Sequence, residues 1–334
     1  TQVYYHYDQN NLSVGNLPLN VLGIQQDFLF PTVYFAGRKV NKASYDLASS
    51  AYEIRKKGLE RDLTAAFYKY QYTKKRQTIY DHLDSLYQNF AHMAKRRFEL
   101  GETNYLEKIT ASSKQRQVAL ALTQAKQEAN IAKSELLSII QIPDSIIIAD
   151  IPIGRFTLNA MNIEETVEMQ YFENNQLLSK AKRKLEVQKL LPDISFNYFQ
   201  GTNSTVDGSL NGYQAGLKIP LLFGGNASQI KAAKIAEHIA LEEAKDYKVR
   251  LNAKILALRS QLKKYDQALT YYEEEGTALS DEILKTAHIS FKNGEIDFFQ
   301  YIQSLQNAYE IKLDYLVTLN EYNQTVIQLN YLTL

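Results

Sequence analysis

The sequence predicts an α+β chain in which long antiparallel coiled-coil hairpins alternate with pairs of amphipathic β-strands. Three observations predict it. Proline occurs only at positions 18, 31, 143, 152, 192 and 220, which leaves two long blocks, about 38–141 and 226–334, almost free of helix breakers. Within those blocks apolar residues recur at steps of three and four. The pattern is also written twice: "RRFELGETNYLEKI" (96–109) and "HISFKNGEIDFFQYI" (288–302) align at an offset of 193, matching Phe98 with Phe291, Gly101 with Gly294 and Glu102 with Glu295.

The first element is a strand pair. "VYYHY" leads into the loop "DQNNLSVGN", after which Leu22, Ile24, Gln26 and Phe28 alternate. A helix is expected from about 42 to 99, roughly 85 Å long at 1.5 Å per residue. Leu83, Leu86, Phe90 and Met93 mark its seam, and Val118, Leu122, Ala125, Ala129, Ala132, Leu136 and Ile139 mark the seam of the return helix. Alanine at many of these positions lets helices approach closely. Gly101 stands where a helix C-terminus stops, and Asn104 can cap the next helix.

A further helix is predicted at about 163–190, ending before Pro192, with no counterpart in the first repeat. The second strand pair follows as "DISFNYFQ" (193–200) and "YQAGLKIPL" (213–221), around a turn-rich loop. The last block repeats the helical hairpin: a helix from about 227 to 292, Gly294 as its stop, Asp297 as the next cap, and a seam at Ile302, Leu305, Tyr309, Leu313 and Leu316. The chain therefore divides into repeats 1–160 and 161–334. It opens on "TQVYYHYDQN", which reads as the middle of a strand, so a missing upstream segment carrying the first repeat's extra helix is expected.

Composition excludes several classes of function. The 334 residues are 45% hydrophobic and 22% charged, with a net charge of +1, so clustered basic charge for a nucleic-acid partner is not expected. There is no cysteine, hence no disulfide, thiol catalysis or thiolate metal site. His6, His82, His92, His238 and His288 include no pair at helical spacing, so no metal site is expected. No phosphate loop, nucleophile elbow or H-E-x-x-H occurs, and neither catalysis nor a cofactor is expected. No run of 18 apolar residues suggests a spanning helix. The lysine-rich "KAKRKLEVQK" (180–189) reads as a solvated helix face in preference to a lipid-binding patch. Tyrosine is abundant, 24 residues against no tryptophan, and suits half-wet or bilayer-interface positions.

Four strands cannot close a membrane barrel alone, because the smallest have eight. Three chains would supply twelve, a permitted size. Here the sequence resembles the TolC-type outer-membrane efflux protein family. The resemblance rests on the two-fold repeat, the two F-x-x-G-E-x-x-[YF]-[LF] turns, and "GLKIPLLFGGNASQIKAAKIA" (216–236), where Ile219-Pro220-Leu221-Leu222-Phe223-Gly224-Gly225 carries a strand into a long helix.

That resemblance implies a homotrimer with a twelve-stranded transmembrane β-barrel in the lipid of a Gram-negative outer membrane. It also implies a helical periplasmic tunnel, a periplasmic adaptor and an inner-membrane RND-type pump, with heavy-metal cations a candidate cargo. "FLFPTVYFAGRK" (28–39) is similar to efflux domains joined to heavy-metal RND pumps. Adaptor docking is expected at Phe98, Gly101 and Glu102, and at Phe291, Gly294 and Glu295. The family's two aspartates at the closed tunnel end fall on Gln300 and Gln303 here, so an acidic ring is not expected, although the glutamines could close the tip by hydrogen bonds; Asp297, the third aperture candidate, is read as a helix cap. A periplasmic adaptor and a soluble coiled-coil scaffold are the alternative readings of the helices.

Overall fold

The computed structural model describes residues 1–8, 18–141, 146–159, 166–203, 208–219 and 223–332. The elements run β1 (Gln2–Asp8), β2 (Leu19–Phe28), α1 (Pro31–Glu99), α2 (Tyr105–Ile140), α3 (Val167–Gln188), β3 (Asp193–Asn203), β4 (Leu210–Lys218), α4 (Phe223–Tyr271), a π-helical turn (Tyr272–Gly276), α5 (Thr277–Lys292) and α6 (Phe298–Leu332). Most of both hairpin loops, the segment Pro220-Leu221-Leu222 and the boundary between the two repeats lie outside the described residues.

Two helices start earlier than in the sequence reading. The first long helix begins at Pro31 instead of about 42. Proline in the first turn lacks only an N–H that would be unpaired there, and its fixed φ suits the helix. The other begins at Phe223 instead of 227 and takes in Gly224 and Gly225. Gly276, which the sequence reading left inside an uninterrupted helix, closes the π turn.

The chain forms two compact units, and each draws on both repeats. The first comprises Thr1–Glu53 and Val167–Val249. It holds a single antiparallel sheet in the order β1-β2-β3-β4. Its register puts Val3, Ile24, Tyr198 and Tyr213 in one row across the four strands, and Gln2, Gln25, Asn197 and Gln214 in the next. Adjacent rows face opposite sides, so one face is apolar and the other polar. On the polar face Tyr4 pairs with Gly23 and Phe199 with Gly212. A Cβ on either glycine would meet the partner ring at 2.3 Å, so each ring occupies the space over its glycine. Beside the sheet, α3 is held to α1 by Asn174, whose Nδ2 donates to Ser50 Oγ at 2.7 Å. It is held to α4 by the Arg183–Glu237 pair and by Phe172 stacked on Tyr247 at 4.6 Å.

The second unit comprises Ile54–Thr166 and Arg250–Leu334. Its core joins Leu83, Tyr87, Phe90 and Ala94 of α1 to Ala111 of α2, Ala287 of α5, and Phe298, Tyr301, Ile302 and Leu305 of α6. The α1 seam thus steps through Tyr87 and Ala94. Met93, which the sequence reading placed in it, is exposed. The alanine permits close approach where a methionine would hold the helices apart. On α2 the expected seam is buried at Leu122, Ala125, Ala129, Ala132 and Leu136.

An extended strap, residues 146–159, crosses this unit without regular structure of its own. Three side-chain amides pair with it as a neighbouring strand would. Gln71 donates to the Ala149 carbonyl and accepts from the Ile151 N–H. Asn323 donates to the Gly154 carbonyl and accepts from the Phe156 N–H. Asn330 does the same with Thr157 and Asn159. Each amide thereby satisfies a carbonyl and an N–H two residues apart. Arg155 of the strap pairs with Asp266 of α4 and with Glu273 of the π turn.

Burial pushes the Tyr87 phenol from 10.0 up to about 12, with Tyr309 adding to the shift. The fold therefore holds this proton more tightly than the unfolded chain does. That contribution is complete below about pH 10 and is lost as pH rises through about 12. Thermal unfolding followed by circular dichroism should show a falling melting temperature across this window. Tyr87→Phe should flatten part of the fall and leave stability near pH 7 within about 1 kcal/mol. A variant with an undiminished fall would show that other groups set the alkaline limit.

Candidate functional sites at the paired turns and the sheet face

The two F-x-x-G-E stretches fold into the same backbone. Gly101 has φ +74° and Gly294 has φ +77°. In the first turn Glu102 N–H donates to the Arg97 carbonyl at 2.8 Å and Gly101 N–H to the Phe98 carbonyl at 3.0 Å. In the second, Glu295 N–H donates to the Ser290 carbonyl at 2.8 Å and Gly294 N–H to the Phe291 carbonyl at 3.1 Å. This pair of bonds ending on a left-handed glycine closes a helix C-terminus. Nothing lies within 4 Å of a Cβ built on either glycine, so backbone conformation and not crowding within the chain selects glycine.

The return helices are capped differently. Asp297 Oδ1 accepts from the Gln300 N–H at 2.8 Å, and Gln300 Oε1 accepts from the Asp297 N–H at 3.0 Å, a reciprocal capping box. Asn104 Oδ1 accepts from the Glu107 N–H at 2.9 Å, but the Glu107 carboxylate does not reach back. It is buried, accepts from Thr103 Oγ1 and pairs with Arg97 Nη1 at 3.1 Å. Glu102 lies 4.0 Å from Arg97 Nε, and Glu295 accepts from Ser290 Oγ at 2.8 Å. Gln303 is exposed and donates to Asn307 Oδ1 at 2.8 Å. Asp297 and Gln300, two residues singled out for a closing aperture, thus already hydrogen-bond each other.

Surroundings differ more than backbones. Phe298 and Ile302 are 4% and 5% exposed, whereas their counterparts Tyr105 and Ile109 are 60% and 47% exposed. Phe291 stacks on Tyr301 at 4.5 Å inside the core. Phe98 meets Tyr105 edge-on at 5.8 Å, and Lys108 Nζ sits 4.6 Å above its ring. Leu100 and Leu106 extend this open apolar patch. Along α2, Ile109, Leu120 and Ile131 are exposed and spaced by three helical turns.

In the other unit the whole apolar sheet face is open. Val3, Tyr5, Leu22, Ile24, Phe28, Phe196, Tyr198, Tyr213 and Leu217 are all exposed. A broad exposed patch of this kind marks a surface that meets something apolar. Among the described residues no helix is long and apolar enough to cross a membrane, which says nothing of the strands.

No known protein family's sequence profile matches the chain, and no curated protein matches it in sequence. Solved structures do match. Outer-membrane protein VceC of Vibrio cholerae aligns with 99% of this chain and 85% of its own, at 11% identity and a TM-score of 0.79. The MtrE outer-membrane channel of Neisseria gonorrhoeae, in its open state, aligns with 99% and 80%, at 12% identity and a TM-score of 0.79. The outer-membrane channel OprN aligns with 99% and 79%, at 14% identity and a TM-score of 0.80. The chain has the TolC-type outer-membrane channel fold. Of this fold the sequence had marked both turns and the alternation of the strands. It did not reveal that Glu107 is buried against Arg97, because that pairing joins two helices across the turn.

A left-handed backbone at the turns costs any L side chain about 1 kcal/mol or more. Gly101→Ala and Gly294→Ala should each lower unfolding free energy by about that amount in urea titrations, and Gly→Asn by less. Asp297→Ala should cost about 0.5–2 kcal/mol by removing the cap. Equal costs for alanine and asparagine at the glycines would contradict the conformational explanation.

Proposed function

We propose that the chain is one protomer of a trimeric exit duct in the outer membrane of a Gram-negative cell. The observation that carries this reading is the sheet: an exposed apolar face, on a sheet whose outer strands β1 and β4 pair with no further strand among the described residues. An open edge cannot face lipid, because each unpaired backbone group costs several kcal/mol there. Joining β1 of one copy to β4 of the next, three times, closes about twelve strands, an allowed barrel size. The polar rows of Gln2, Gln25, Asn197 and Gln214 then line a watery interior.

The helical hairpins continue as a periplasmic tunnel, and the exposed stripe of Ile109, Leu120 and Ile131 packs against a neighbouring copy. The duct performs no chemistry; substrate passes through water. Its turns at Phe98-Gly101-Glu102 and Phe291-Gly294-Glu295 receive a periplasmic adaptor, and through it an inner-membrane RND-type pump. Heavy-metal cations are the cargo class suggested by residues 28–39, and a wide duct passes them without binding them.

The absence of cysteine makes the assembly directly testable. Cysteines introduced along β1 and β4, one per strand, should give disulfide-linked trimers in intact outer membranes, and purified protein should conduct in planar bilayers. A monomer under those conditions would sink the proposal. Docking has its own test. Gly101→Arg and Gly294→Arg place a bulky charge on an open surface, so trimers should persist while efflux falls about tenfold or more, the loss expected when an interface centre is blocked. Full efflux by both variants would remove the turns from the docking surface.

A further inference from the structure

A groove of about 730 Å³ runs between the start of α1 and the end of α3. Its floor is apolar, with Phe35, Leu177 and Val187 exposed to it. Its rim is cationic: Lys39 from α1 faces Lys180 and Lys184 from α3, and no acidic residue lines it. Arg183 also reaches the groove, but Glu237 neutralises it. The three lysines have no acidic partner among the described residues. Three cations gathered around apolar surface and left unneutralised are costly unless an anion joins them.

The groove's place in the unit says which anion. Pro31, the first residue of α1, follows closely on Phe28, the last of β2; β3 begins at Asp193, just past α3; and Phe28 pairs with Ile194. The groove therefore opens at the helix-bearing end of the β2–β3 pair, where the exposed apolar face of Phe28 and Phe196 ends. A ligand here meets hydrocarbon on one side and water on the other. From this geometry we infer that the groove binds an anionic phospholipid, its phosphate among Lys39, Lys180 and Lys184 and an acyl chain along Phe35, Leu177 and Val187. The lysine-rich stretch 180–189 is then more than a solvated face, since its Lys180 and Lys184 line the same groove as Lys39 of another helix. This inference rests on the sheet facing the bilayer.

The chain contains no tryptophan, so a single introduced indole reports one place. The full chain carrying Phe35→Trp is reconstituted in phosphatidylcholine vesicles doped with either brominated phosphatidylglycerol or brominated phosphatidylcholine. Quenching by the anionic lipid should exceed that by the zwitterionic one at least about twofold, because each lysine near a charged surface favours anionic lipid severalfold. The preference should shrink in high salt and with Lys39→Gln, Lys180→Gln and Lys184→Gln combined, with helicity by circular dichroism unchanged. Equal quenching by both lipids would overturn the headgroup assignment, and no quenching by either would overturn the site. Tyr213→Trp on the sheet face separates the two readings. If it is quenched while Phe35→Trp shows no preference, the inference fails and the duct stands. If neither is quenched, the duct reading falls and takes the inference with it.

Discussion

Among the described residues no further strand pairs with the outer edge of β1 or of β4, on a sheet whose apolar face is open. Water satisfies such edges but not the apolar face, and lipid satisfies the face but not the edges. In the proposed duct, lipid covers the face and neighbouring copies pair the edges, which satisfies both. Long helices follow naturally from that arrangement. Each strand pair feeds an α-helix, and each helix turns back on a left-handed glycine so that its partner can bury the alanine-rich seam.

Much of this was legible in the sequence, for physical reasons that can be named. Alternation at Leu22, Ile24 and Phe28 is a local signal, as is the three-four spacing of Leu122, Ala125 and Ala129, and both elements formed where they point. Pro31 misled because proline both breaks helices and starts them, and composition alone does not distinguish the two. Met93 misled because size was taken for burial, while the close helix approach favoured Ala94. The strap at 146–159 left no local trace: Gln71, Asn323 and Asn330 look like ordinary surface amides until the chain brings them to one backbone. The same is true of Glu107, whose partner Arg97 lies across the turn.

The two turns show how a repeated sequence diverges in use. Their backbones superimpose in hydrogen bonding, yet one is packed into an aromatic core around Phe90 and the other presents Tyr105, Leu106 and Ile109 to solvent. In the proposed ring every hairpin would have one neighbour within its chain and one beyond it, and such an asymmetry would suit both. The capping box of Asp297 and Gln300, against the Glu107–Arg97 pair, gives each turn its own chemistry on a shared frame.

The rings lying over Gly23 and Gly212 bear on the clear width of a closed barrel. An aromatic side chain standing upright on a strand reaches several ångströms inward, and twelve strands leave little diameter to spare. Laid flat across a residue without a side chain, Tyr4 and Phe199 add aromatic surface to the wall without narrowing the bore. Six such rings around the proposed trimer would form a flat aromatic collar in the wall of the bore.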